Sequence, residues 1–248
     1  MSAATDLRTL FARRNFALYT LGNASGLLAQ WMFKTTIAWL AWELTHKSVW
    51  VGLAVTAEMI PTVLVGLYAG VVADRADLRA ILMRVQFSTV CIYSALAFLA
   101  MQGALSIPLL LSLMAVNGVV VGFAQPAGQA AITGLVDNAE LGTAISLNSI
   151  LFNLARFAGP ALAGGLIAAF GGAVALVATA CFAGLFFLML TAVRFNVLPR
   201  LSGDGSIWLK IAEGMRQIFV EPTVAFVFML YATAAFLIRP ISELLPEP

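Results

Sequence analysis

The sequence predicts an all-α membrane protein with seven spanning helices, and three observations carry that reading. Apolar residues make up 61% of the 248 residues, charged residues only 10%, and mean hydropathy is +0.95. A water-soluble domain of this size cannot hide so much apolar surface. The apolar residues also run in stretches near or above the ~20 needed to cross ~30 Å of hydrocarbon. Finally, these stretches lack the shorter polar–apolar alternation of barrel strands. A spanning segment in lipid must satisfy its own backbone hydrogen bonds, so helix is the default.

The stretches fall at roughly 16–42, 50–73, 81–103, 106–127, 144–170, 173–193 and 222–239. The first follows a polar start and Arg13-Arg14, and it is too long for a signal h-region, so no cleavable signal peptide is expected. It contains Lys34. The second contains Glu58 and Pro61. At ~1.5 Å per residue both charges sit about 12 Å below the same membrane surface, on antiparallel neighbours. An unpaired charge there costs at least ~2–3 kcal/mol, so an ion pair or a watery cavity is expected. Two readings stay open: a coupling or gating pair, or a fixed bridge between helices.

A knot of charge separates the second stretch from the third: Gly70-Val-Val-Ala-Asp74-Arg75-Ala-Asp77-Leu-Arg79. Asp74 is expected to accept hydrogen bonds at a helix end. Arg75 and Arg79 are expected to reach carboxylates, carbonyls or lipid phosphates. Positive-inside anchoring accounts for the arginines but poorly for Asp74. The fourth stretch holds Asn117, and a longer loop is expected over 128–143.

The fifth stretch carries Asn148, Asn153 and Arg156 just before Gly159-Pro160 and Gly164-Gly165. The polar trio either lines a cavity and binds a polar or anionic solute group, or forms a packing network. Pro61 and Pro160 are expected to bend their helices. Gly22 with Gly26, Gly66 with Gly70, Gly118 with Gly122, and the 159–165 segment are each expected to let two backbones approach closely.

After the sixth stretch, a flexible break at 201–206 precedes a segment in which Trp208, Ile211, Met215 and Ile218 recur at helical spacing. It reads as an amphipathic surface helix. The chain thus divides into a six-helix bundle (1–193), a central loop with that helix (194–221), and a seventh span with a short tail (222–248).

With the N-terminus inside, ten Lys and Arg fall on the cytoplasmic side and only Lys47 and Arg239 outside. The positive-inside rule therefore predicts a cytoplasmic N-terminus and an outer C-terminus. Cys91 and Cys181 lie within apolar runs, so neither a disulfide framework nor a metal cluster is expected. The single histidine, His46, lies in a short loop, and no zinc-protease, serine-hydrolase or nucleotide-binding pattern occurs. No enzyme, cofactor, metal or nucleic-acid partner is expected.

The knot resembles the loop between helices two and three of the major facilitator superfamily, G-x-L-a-D-R-x-G-R followed by Arg or Lys. Gly70, Asp74, Arg75 and Arg79 match. Val72 replaces the leucine, and Asp77 and Leu78 replace the second glycine and the first later basic residue. Trp31-Met32, Ala38-Trp39, Glu43-Leu44-Thr45, Gly52-Leu53 and Pro61 look like the first hairpin of the enterobactin-exporter-like and macrolide-efflux-like branch. Pro126-Ala127, Gln129-Ala130, Leu135-Val136, Asn148, Asn153, Arg156 and Gly159-Pro160 look like its fourth and fifth helices.

The resemblance implies two inverted three-helix repeats and alternating access against a second bundle. It implies secondary export of small organic molecules, drug- or siderophore-like, driven by an ion gradient, from the cell inner membrane. It also implies that Gly70, Asp74, Arg75 and Arg79 form a cytoplasmic latch made in one state and broken in the other. If Glu58 carries protons, Glu58→Gln is expected to change the pH dependence of transport. Asn117 stands where many proton-coupled drug exporters have an arginine. Relative to a twelve-helix permease roughly five helices are absent, so the chain is expected to be a truncated product, a split half or a fragment. The alternative function is a non-transporting scaffold. Expected partners are the bilayer, a small-molecule solute, and a second transporter half or a homodimer mate.

Overall fold

A computed structural model describes residues 9–75, 77–137 and 139–195, with Met229 and Thr233. The chain divides into two compact units, Met1–Leu201 and Ser202–Pro248. In the second, Met229 and Thr233 are helical. The expected surface helix and the rest of the expected seventh span lie outside the described residues.

The first unit contains α1 (Arg14–Thr45), α2 (Ser48–Arg75), α3 (Leu78–Met101), α4 (Ile107–Thr133), α5 (Leu141–Phe170) and α6 (Gly172–Ala192). The described residues contain no strand, and five of the helices, α2 to α6, are long and apolar enough to cross a membrane. At 32 residues α1 has the length, but Asn23, Gln30 and Lys34 make it more polar. This is an all-α, multi-pass membrane protein.

Helix ends follow local chemistry. Asp77 caps α3, its Oδ1 accepting from the backbone N–H of Arg79 at 2.9 Å and of Ala80 at 3.5 Å. Pro108 sits in the first turn of α4, where its missing N–H has no intrahelical acceptor to lose. Gly171, at φ +86, makes the one-residue turn into α6, a conformation strained for any side chain with a Cβ. The loop expected over 128–143 is shorter, because α4 continues through Pro126 to Thr133. Its last turns are held by Ala127 and Ala131, both fully buried. Pro61 and Pro160 likewise lie inside continuous helices.

The most extensive pairings are α2 with α4, α1 with α6, α1 with α5, and α3 with α6. Each joins the first three helices to the last three. Exchanging the triplets turns α2–α4 into α5–α1 and α1–α6 into α4–α3, both of which occur. That is the signature of an internal repeat.

Lipid tails are as apolar as the side chains, so close packing rather than escape from water holds these seams. Phe33 stacks on Tyr93 with centroids 4.0 Å apart, linking α1 to α3 amid Ile37, Leu96, Leu110 and Leu176. Towards the Arg13 end, Phe16, Tyr19, Leu82, Ile132, Phe186 and Leu190 form a second core.

Small residues supply the close approaches, though not all those expected. Cβ atoms at Gly22 and Gly26 would stand 2.7 and 2.5 Å from the Phe186 ring of α6. Gly118 lies against the Glu58 carbonyl, and a Cβ at Gly122 would meet the Thr62 carbonyl at 3.1 Å. A Cβ at Gly159 would stand 2.5 Å from Trp31 Cβ. By contrast Gly66, Gly70, Gly164 and Gly165 have nothing within 4 Å of such an atom. Helical spacing alone therefore overcounted the glycine seams, because it does not say which face meets a neighbour.

Candidate functional site

The two repeat-related seams carry opposite charge. At the α2–α4 seam, Asn117 Nδ2 donates to Glu58 Oε1 at 3.3 Å. The Thr62 hydroxyl lies 2.8 Å from the Glu58 carbonyl and 2.9 Å from the Gly118 carbonyl, tying the backbones together. At the α1–α5 seam, Lys34 Nζ lies 5.1 Å and Arg156 Cζ 5.6 Å from the centroid of the Trp31 ring. Phe152, one turn before Arg156, packs edge-on against the same ring at 5.8 Å. Gly159 makes this arrangement possible, since a side chain there would push α5 off Trp31.

Lys34 and Glu58 are within electrostatic range but form no ion pair within 4.0 Å. The fixed bridge expected from their matched depths is therefore absent. The carboxylate turns to Asn117 and the ammonium to Trp31. Tyr93 of α3 also faces Glu58 electrostatically. A cation over an indole gains ~0.5–2 kcal/mol. That is no more than the ~2.5–3.5 kcal/mol of holding one charge at mid-span. Two buried atoms here lack partners, Trp31 Nε1 and Asn117 Oδ1.

Asn148, Asn153 and Arg156 do not act as one group. Asn148 Oδ1 accepts from Asn23 Nδ2 at 2.8 Å, joining α5 to α1. Asn153 turns back to the Ser149 carbonyl of its own helix at 2.8 Å. Arg156 goes to Trp31.

Near this cluster the bundle holds a partly open cavity of about 240 Å³. Its polar lining includes Asn23, Gln30, Gln86, Gln125, Gln129 and Asn148, and it reaches Phe152. At ~30 Å³ each it has room for about eight waters, or for a small polar group. Sequence reasoning singled out only Asn148 of these for a solute site. The missed signal was plain: amides inside apolar runs, each needing a partner in lipid. Two of them are partnered across helices: Asn23 with Asn148, and Gln86, whose Nε2 donates to the Ala183 carbonyl at 3.0 Å.

The charged knot divides into two parts. Asp77 accepts at the start of α3, while Asp74 lies in the last turn of α2 and the side chains of Asp74 and Arg75 are outside those described. Arg79 Nη2 donates to the Thr191 carbonyl at 2.8 Å, near the C-terminal end of α6, where a cation suits the helix dipole. At the same end of the bundle Arg13 meets Asp137 at 2.8 Å and Glu140 at 3.0 Å, joining the start of α1 to the α4–α5 loop. The Asp137 hydrogen bond raises the already high pKa of Arg13, so the guanidinium stays charged.

The family model for the transmembrane secretion effector matches residues 9–246, nearly the whole chain. The chain belongs to this family of the major facilitator superfamily. It is also 24% identical over 205 residues to the staphyloferrin A transporter of Staphylococcus aureus (strain NCTC 8325 / PS 47). That alignment covers 78% of this chain and 51% of the relative, so the chain spans about half the length of the curated relative it matches.

Proposed function

We propose that this chain supplies the first bundle of a secondary active transporter that exports small organic molecules, drug- or siderophore-like, by alternating access driven by an ion gradient. The carrying observation is the set of ionisable groups on α1, α2 and α5. Glu58, Lys34 and Arg156 lie within helices of spanning length, and Phe152 and Tyr93, which adjoin their two clusters, line a polar cavity. Charge in such a place is expensive unless it serves a solute or ion path. The family and the staphyloferrin A transporter support the same reading. The enterobactin-exporter-like and macrolide-efflux-like branch is the assignment we favour within it.

The reading puts the protein in the cell inner membrane with its N-terminus in the cytoplasm. Residues 1–193 act as the bundle, 194–221 as the central loop, and 222–248 as the seventh span. Gly70, Asp74, Arg75 and Arg79 serve as the cytoplasmic latch. The support is sequence resemblance, with an acid, Asp74, where positive-inside anchoring alone would not require one. Lys34 and Glu58 act as the coupling pair through their mutual field.

A second reading is a scaffold or fragment that moves nothing without a partner bundle. Efflux separates the two. Cells lacking their own exporters would express the chain alone, as a dimer, and beside a second bundle, and loss of preloaded organic dyes would be followed. Energy-dependent loss in any of these states supports transport. Retention of every dye in all of them leaves the scaffold.

A further inference from the structure

We infer that Lys34 and Arg156, gathered over Trp31, form a subsite for an anionic group, so that the solute is an organic anion: a carboxylate, sulfonate or phosphate ester. This rests on the transporter reading and names its substrate class.

The two cations come from different helices and converge on one ring, at 5.1 and 5.6 Å from its centroid. Among the described residues neither forms an ion pair within 4.0 Å. The nearby acid, Glu58, is held by Asn117 at the other seam. With Glu58 ionised, the three groups still sum to one positive charge.

Donors also outnumber acceptors. Lys34 has three N–H groups and Arg156 five, and no protein acceptor for them is seen among the described residues. Trp31 Nε1 adds a buried donor with no partner. A carboxylate, sulfonate or phosphate offers the oxygens this cluster lacks.

Depth narrows the source. Arg156 lies midway along α5 (Leu141–Phe170), about 21 Å from either end at ~1.5 Å per residue, far from lipid headgroups. The adjoining cavity is lined by neutral groups, Asn23, Gln30, Gln86, Gln125 and Gln129 among them, so it hydrogen-bonds without choosing a charge. Charge selection falls to Lys34 and Arg156.

The test is calorimetric titration of the purified full chain, in neutral detergent, with benzenesulfonate and with its uncharged counterpart benzenesulfonamide. The sulfonate is expected to bind at least tenfold more tightly. Lys34→Gln and Arg156→Gln are each expected to weaken it at least tenfold. Lys34→Arg and Arg156→Lys, which keep the charge and report on folding, should stay within a few-fold of the parent, as should Lys47→Gln. Equal binding of the two probes, no sulfonate binding, or unaltered affinity in the Gln variants would overturn the assignment. Displacement by phosphatidylglycerol would overturn it in favour of bound lipid. Uptake of labelled probe into proteoliposomes separates the two proposals. With a second bundle co-reconstituted, charge-selective binding without flux keeps the subsite and removes transport, whereas equal flux of both probes keeps transport and removes the subsite.

Discussion

Single atoms decide whether the α1–α5 seam closes. A methyl at Gly159 would stand 2.5 Å from Trp31 Cβ and 3.1 Å from the Met32 backbone nitrogen. Neither neighbour is the yielding tip of a flexible side chain. Gly159→Ala is therefore expected to cost about 1–3 kcal/mol of overpacking and to lower the thermal midpoint of the purified protein. Five residues along the same helix, Gly164→Ala meets nothing within 4 Å. It should leave the midpoint unchanged or raise it slightly, since alanine is the better helix former. Equal losses at the two sites would mean that Gly159 is not the contact point. Asp74 gives a functional case. If the latch proposal holds, Asp74→Asn should lower transport by an active form. Transport left intact would remove Asp74 from the latch.

At the scale of helices much was legible in the sequence, because spanning length and apolarity leave few alternatives to a helix. The stretch read at 16–42 is α1 (Arg14–Thr45), and that at 173–193 is α6 (Gly172–Ala192). Pairing was not legible. Gly66–Gly70 and Gly118–Gly122 look alike as spacings, yet only the second pair lies against a neighbouring helix. The site was half legible. Lys34, Glu58 and Arg156 stood out as charges in apolar runs, whereas Trp31 as the meeting point of the two cations depends on the angle at which α5 crosses α1. Cross-linking tests the pairing directly, in a background where Cys91 and Cys181 are serine. Cysteines replacing Val65 and Gly122 should join under mild oxidation, since a Cβ at Gly122 stands 3.1 Å from Val65 Cβ and a shift of a few tenths of an ångström brings the pair to the ~3.5–4.5 Å of a disulfide. The repeat-related pair at Trp31 and Gly159 should also join, and Trp31 with Gly164 should not. A reversed result would dissolve the two-seam arrangement.

The exposed surface of the whole bundle must serve two solvents, lipid and, if the transport proposal is right, a watery path. Of the five apolar spans, α2 and α5 bury the smallest share of their surface, and α3 and α6 the largest. Along α5 the exposed residues separate by helical spacing. Ser149, Asn153, Arg156 and Gly164 follow one another at three, four or eight positions and make a polar or small stripe. Ile150, Leu154 and Phe157 recur at the same spacing about a quarter-turn further round the helix, all at least 60% exposed and all apolar. Helical periodicity keeps such stripes apart. The polar stripe carries Arg156, so it is the one expected to face water, while a lipid-facing arginine at that depth would be costly. Single cysteines replacing Ser149, Asn153 or Gly164, in membranes containing an active form, should react with a membrane-impermeant maleimide. Those replacing Ile150, Leu154 or Phe157 should stay unreacted until detergent is added. Solute present during labelling should protect the first set. If both stripes react alike, or neither does, α5 does not border a solute path, and the cations over Trp31 must be explained by packing alone.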